Sequence, residues 1–188
     1  IDRYTEVFNK NSQNFRMQKI KPALILAKKY NGFLKKTPRG YGIGRKYNYY
    51  FAHMVNCIFD CRYCFLQGMF KSANYIVFVN YEDLFIEIEK AMKNCSFKST
   101  FFSGYDCDSL ASESYTGFIE EALFFFKNNI DAELEIRTKS TYIKPFLNNS
   151  ITNCVVAYSF TPEEFSKKYE IGVPSVEKRL RTILKIID

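Results

Sequence analysis

Three cysteines, Cys57, Cys61 and Cys64, stand in the stretch CIFDCRYC at gaps of three and two residues. Thiolates clustered this closely serve metal chemistry. A structural zinc site takes four ligands, usually two pairs brought together from separate loops. This chain offers one triplet, and His53, Cys95, Cys107 or Cys154 would have to complete it without a paired spacing. An iron–sulfur cubane suits a triplet better, because one short loop can wrap three corners and leave the fourth iron to an exogenous ligand. Unligated, three such thiols would invite oxidation. The six cysteines include no dense, loop-rich framework, so metal binding or chemistry is expected rather than disulfides.

The flanking sequence supplies the scaffold. YNYYFAHMV (47–55) is rich in strand formers and runs into Cys57, which places the triplet at the C-terminal end of a strand. YIVFVN (75–80) is a short strand, and YEDLFIEIEKAMKN (81–94) repeats Leu84, Ile88, Ala91 and Met92 at helical spacing. STFFSG (99–104) reads as a buried strand opening into a polar loop. YTGFIEEALFFFKNN (115–129) is a helix with a stripe of Phe118, Ala122 and Phe125 or Phe126. AELEIRTK (132–139) alternates like a strand, and YIKPFLNN (142–149) is a short helix broken near Pro145. TNCVVAYSF (152–160) is a strand, and SVEKRLRTILKIID (175–188) is a helix capped by Ser175 after Pro174.

Strand and helix alternate about four times, which predicts an α/β fold of parallel βα units with functional groups at the carboxyl ends of the strands. Cys57–Cys64, Ser103–Ser109, Lys139 and Ser159 fall at those ends. Four units are too few to close a barrel, so the sheet is expected to stay open or to continue past Asp188. Ahead of the first strand, FRMQKIKPALILAKK (15–29) is helix-like, with any helix starting or kinking at Pro22. LKKTPRGYGIGRKYN (34–48) reads as a loop that would order against a partner. Gly42-Ile43-Gly44 is no dinucleotide fingerprint, since no third glycine opens a helix.

The chain is 188 residues long, 47% hydrophobic and 18% aromatic, which fits one globular domain. Ile1–Gln18 has no uninterrupted apolar core, and PALILA (22–27) falls far short of the ~20 apolar residues of a membrane span. A soluble, cytoplasmic protein without membrane contact is expected. The formal net charge of +7 is uneven: residues 1–50 hold twelve Lys and Arg against Asp2 and Glu6. Basic residues interleaved with tyrosines suit a polyanion, through counterion release and stacking on bases; solvated charge is the plain alternative.

Cys-x3-Cys-x2-Cys after a first strand, with Tyr63 before the last cysteine, resembles the signature of the radical S-adenosylmethionine (SAM) superfamily. CRYCFLQGMF, IRTK and AYSFTPEEFSKKYEIGVPSVEKRL, with the basic segment ahead of the triplet, resemble the spore photoproduct lyase family over most of Leu24–Leu180. The resemblance implies a [4Fe–4S] cluster on Cys57, Cys61 and Cys64, with SAM on the fourth iron, and a 5′-deoxyadenosyl radical that abstracts hydrogen. It also implies DNA as substrate, a pyrimidine lesion being repaired, and an electron donor of flavodoxin or ferredoxin type.

By the same resemblance Tyr63 lies by the SAM adenine, Lys139 holds the methionine carboxylate, and Ser159 contacts SAM's polar groups. Ser103, Cys107 and Asp108 are candidates in the loop that takes the SAM amino group. The implied architecture is a basic, partly helical segment (1–46) and a radical SAM core (47–188), the N-terminal part of a TIM-like barrel. Two positions differ from the family pattern. Tyr105, with Cys107 two residues on, stands where the lyase has its hydrogen-donating cysteine, and Phe65 stands where it has a tyrosine. Either Cys107 or Tyr105 is therefore the candidate donor or the substrate differs; the alternatives are a radical SAM enzyme on another substrate and a non-enzymatic iron–sulfur or zinc module that binds nucleic acid. Glu170 and Arg179 are read as either a structural pair or a site.

Overall fold

The computed structural model describes residues 3–147 and 149–187. After a 3-10 turn at Tyr4–Glu6 come α1 (Phe15–Ile20), β1 (Leu24–Ala27), β2 (Lys35–Lys36), β3 (Tyr47–Tyr50), β4 (Met54–Val55) and β5 (Asp60–Cys61). There follow α2 (Leu66–Met69), β6 (Tyr75–Phe78), α3 (Tyr81–Lys93), β7 (Ser99–Phe102), α4 (Glu113–Thr116) and α5 (Phe118–Lys127). The chain then forms β8 (Ala132–Thr138), α6 (Lys144–Leu147), β9 (Cys154–Tyr158), α7 (Glu163–Tyr169), β10 (Glu170–Ile171) and α8 (Val176–Ile187).

The main sheet has the order β2-β3-β7-β8-β9, with β3, β7, β8 and β9 mutually parallel and β2 antiparallel at one edge. The main sheet has four parallel strands, but YIVFVN, expected to open one of the four βα units, is not among them. It forms β6 of a second sheet, β1-β6-β4, beside the main one. The single strand expected over 47–55 is two, β3 in the main sheet and β4 in the second. The sheets do not close into a barrel among the described residues. LILA, read as helix-like from its propensities, is strand β1, because pairing in parallel with β6 outweighs the local preference. Helix α1 ends at Ile20, before Pro22, as the ring requires.

The principal core lies between the main sheet and helices α3 and α5, built from Phe101, Leu134, Ile136, Ile88, Phe118, Leu123 and Phe126. Phe118 is its hub: Phe51, His53 and Tyr81 pack on its ring with centroids at 5.8, 4.2 and 4.9 Å. A smaller core joins Phe8, Ala27, Val55, Ile76 and Phe78 under the second sheet. The first residues of the chain thus pack against β6. Gly117, left-handed at φ 62°, separates α4 from α5, so the predicted single helix over 115–129 is two. No helix is long and apolar enough to cross a membrane among the described residues.

Candidate active site

The carboxyl ends of β3, β7, β8 and β9 open into a cavity of about 840 Å³. Its lining includes nine of the ten residues singled out from the sequence: Cys57, Cys61, Cys64, Ser103, Tyr105, Cys107, Asp108, Lys139 and Ser159. The tenth, Tyr63, is half exposed, is not among the lining residues and donates its hydroxyl to Glu170 Oε1, with the Lys139 ammonium 5.8 Å over its ring. His53, Cys95 and Cys154, the other groups that could have completed a zinc site, do not line the cavity. His53 is buried flat against Phe118, and burial pushes it down to about 3, so it is a neutral core ring. Cys95 is within hydrogen-bonding distance of the Tyr49 hydroxyl at 3.4 Å.

The cysteine loop is fixed at both ends. At its start Asn56 takes a left-handed backbone (φ 67°), which asparagine tolerates better than most residues. Its side chain donates to the carbonyls of Ser72 and Asn74 at 2.8 and 2.7 Å. At the other end β5 pairs with β10, placing Cys61 opposite Glu170, and the Arg62 N–H donates to the Tyr169 carbonyl at 2.9 Å. A turn from Cys64 N–H to the Cys61 carbonyl, 2.9 Å, closes the triplet. No three His, Cys, Asp or Glu side chains among the described residues are grouped tightly enough to hold a single metal ion. All three cysteines line the one cavity, and a cubane takes one thiolate at each of three corners.

Burial and the neighbouring Asp108 push the Cys57 thiol up to about 12, and burial raises Cys61 while Lys139 opposes it. Such thiols ionise when a metal takes the sulfur. The donor set therefore fits an iron–sulfur cluster.

Behind the cysteines one buried guanidinium joins three elements. Arg179 of α8 is fully buried and pairs with Glu170 Oε2 at 2.7 Å. It also donates to Ser166 Oγ at 2.9 Å and to the Ser159 carbonyl at 2.7 Å. Since Glu170 also accepts from Tyr63, the helix sets both the cysteine loop and the end of β9. Glu170 and Arg179 are thus a structural pair that supports the site.

Asp108 performs the matching task across the sheet. Its Oδ1 accepts from Thr138 Oγ1 (2.6 Å) and from the backbone N–H groups of Leu110 and Ala111 (3.0 and 2.9 Å). Its Oδ2 accepts from the Lys139 N–H at 2.6 Å. Burial still pushes its carboxyl up, although these hydrogen bonds oppose the shift. Asp108 thereby holds the turn in which Lys139 leaves β8. Ser103 Oγ bridges Ser109 Oγ (2.7 Å) and the Glu135 carbonyl (3.0 Å). Gly104, at φ 71°, sits so close to that pair that a Cβ would run into Ser109 Oγ.

Tyr105 stacks on Tyr50 at 4.1 Å and faces Phe65 at 6.3 Å, so both departures from the family pattern meet at one side of the cavity. Burial pushes the Cys107 thiol well up and raises the Tyr105 phenol, which keeps both protonated. Glu135 and Arg137, which the sequence reading passed over, also line the cavity, linked by Arg137 Nη2 to Glu135 Oε1 at 2.7 Å. The signal was available. AELEIRTK alternates, and Glu133, Glu135, Arg137 and Lys139 fall on one strand face, an unusual run of charge on a central strand.

The family model described as spore photoproduct lyase matches residues 43–188. The chain belongs to the spore photoproduct lyase family. Its fold resembles that of a spore photoproduct lyase double mutant with bound AdoMet and dinucleoside spore photoproduct, with a TM-score of 0.82 at 17% identity. It also resembles spore photoproduct lyase complexed with dinucleoside spore photoproduct, with a TM-score of 0.80 at 17% identity. Each match covers 95% of this chain and 52% of the other, so the chain spans about half the length of the solved lyases it resembles. No curated protein matches it in sequence. Membership of the spore photoproduct lyase family thus stands on the family model, and the mixed α/β fold on the solved structures.

Proposed function

We propose that the chain is a radical SAM lyase of the spore photoproduct type, with a pyrimidine lesion in DNA as its substrate. The observation that carries this reading is the convergence of the three cysteines with Asp108, Lys139 and Ser159 on one cavity at the strand ends. Cys57, Cys61 and Cys64 would hold a [4Fe–4S] cluster, and Lys139, Ser103, Asp108, Ser159 and the backbone beside Tyr63 would hold SAM. The cluster and SAM held there would supply, with one electron from an external donor, cleavage of SAM to methionine and a 5′-deoxyadenosyl radical.

The chain's own residues bind, orient and exclude water. Lys139 offers a compact ammonium to a carboxylate, held in place by Asp108 through its backbone N–H. Arg179 and Glu170 keep the cysteine loop in register with the end of β9. Cys107 and Tyr105 carry the transferable hydrogens, an S–H and an O–H on the cavity wall. Phe65 has neither. The solved relatives, by their titles, bind a dinucleoside spore photoproduct, and the basic first fifty residues support a nucleic-acid substrate here. In this reading 47–188 is the cluster-bearing part of a (βα) barrel and 1–46 its basic extension. The protein works in the cytoplasm with a flavodoxin- or ferredoxin-type donor.

A second reading, a radical SAM enzyme with a different substrate, is favoured by Phe65 and by Tyr105 at the donor position. One experiment tests both: anaerobic loading with iron and sulfide, then dithionite and SAM, with 5′-deoxyadenosine as the readout. Product that disappears in Cys61→Ala supports the radical reading; none from cluster-loaded protein overturns it. Conversion of spore photoproduct in an oligonucleotide, or its absence despite 5′-deoxyadenosine, then separates the two substrates.

A further inference from the structure

The basic loop between β2 and β3 is an arch with an opening on each side. Its inner face closes the cavity through Thr37, Pro38, Gly40, Tyr41 and Gly42. Its outer face, with the same five residues, lines a separate cleft of about 430 Å³. Lys36, Arg39, Arg45 and Lys46 line that outer cleft, and no Asp or Glu does. Arg45 reaches Glu133 at 3.3 Å, and Lys46 lies over Phe97 at 4.9 Å. Lys36 and Arg39 are exposed and have no acidic partner among the described residues.

Contacts within the chain brace the arch. Thr37 Oγ1 donates to the Tyr41 carbonyl at 2.9 Å, and Asn48 donates to the Arg45 carbonyl at 2.8 Å. Gly42 lies flush on Asn48, where a Cβ would stand 2.7 Å from the side-chain amide. Tyr41 at the crest is 71% exposed, an aromatic ring between the cavity and the cleft.

We propose that this arch is a clamp for a nucleic-acid strand, with one nucleotide entering the cavity while its neighbour's phosphates lie in the outer cleft. Lys36, Arg39 and Lys46 neutralise phosphates, and Tyr41 stacks on the base next to the one in the cavity. The inference rests on the nucleic-acid reading of the site and narrows it to a polymer, because a ligand without flanking phosphates leaves the outer cleft unused. Cations alone would take any polyanion. An exposed ring at the divide between cleft and cavity favours a strand with bases to stack.

The test is binding of a short fluorescent oligothymidylate to the full chain, titrated across salt concentrations. Lys36→Gln/Arg39→Gln should lower affinity roughly tenfold and reduce the salt slope by roughly 1.4, at ~0.7 per lost single-strand phosphate contact. Tyr41→Ala should lower affinity by roughly tenfold with the slope unchanged. Lys93→Gln/Lys127→Gln, the same charge change at exposed sites on α3 and α5, should leave both near the wild-type values. Wild-type affinity and slope in the arch variant would overturn the clamp. So would an equal loss in the helix variant, or equal displacement by polyglutamate. Uncoupled 5′-deoxyadenosine formation, read in the same preparations, keeps the radical reading separate: its absence removes that reading, and its persistence beside unchanged binding removes only the clamp.

Discussion

The two walls of the cavity are built in opposite ways. On the inner wall Asp108 accepts four hydrogen bonds, and Arg179 is buried with Glu170, Ser166 and Ser159 all within 2.9 Å. On the outer wall a glycine-rich arch rests on a few backbone contacts, and its cations face water. Under the function and the clamp proposed above, the difference would match two demands. Atom transfer depends on sub-ångström placement, whereas a phosphodiester backbone can be held by long, flexible cations through charge alone.

Mutation should expose the asymmetry. Arg179→Met strands a buried carboxylate and should destabilise the fold by about 3–5 kcal/mol in urea denaturation. A loss below about 1 kcal/mol would mean that the inner wall is not held by this pair. The same pair sets an acid limb. Burial raises Glu170, but hydrogen bonds from Ser166 and Tyr63 and the Arg179 guanidinium bring its carboxyl net below its usual 4.5. A depressed folded value gives stability that is full above pH 4.5 and is lost as pH falls through the folded pKa. Glu170→Gln should remove that part of the acid transition, and an unchanged acid profile would contradict the assignment.

Next in size is Gly104→Ala, which puts a Cβ in the left-handed region against Ser109 and should cost about 2 kcal/mol. A neutral result would show that the Ser103–Ser109 bridge yields easily. The smallest effect belongs to the outer wall. Arg45→Gln removes a partly exposed ion pair with Glu133 and should change stability by less than about 1 kcal/mol. A larger loss would mean that the arch is as rigidly built as the strand ends.

Much of this was legible in the sequence, for identifiable reasons. The parallel strands β3, β7, β8 and β9 carry strong apolar or alternating patterns, and α3, α5 and α8 carry clean helical stripes. β1 was misread because Leu and Ala favour helix locally and its partner β6 lies far along the chain. β6 was recognised as a strand, but nothing local says that it leaves the main sheet for a second one. Helix α7 was overlooked although Pro162, two glutamates and a closing pair of lysines mark its ends. In the site, the cysteine spacing was decisive. The strand-face charges Glu135 and Arg137 needed a decision about which face turns inward, and that decision belongs to the tertiary fold. The Tyr63 hydroxyl went to Glu170 because α8 brings Arg179, and with it Glu170, beneath the cysteine loop.

The two parallel pairings also have a consequence for how the molecule forms. Leu24 meets Tyr75 in β1–β6, and Tyr47 meets Ser99 in β3–β7, each closing about fifty residues of chain. Cys57, Cys61 and Cys64 lie inside both closed segments. Distant parallel pairing forms slowly compared with local helices, since the closure entropy is spent before the contacts accumulate. The three thiols therefore lie on an open loop until both closures form, and only the completed pairings bring them together on the lining of one cavity.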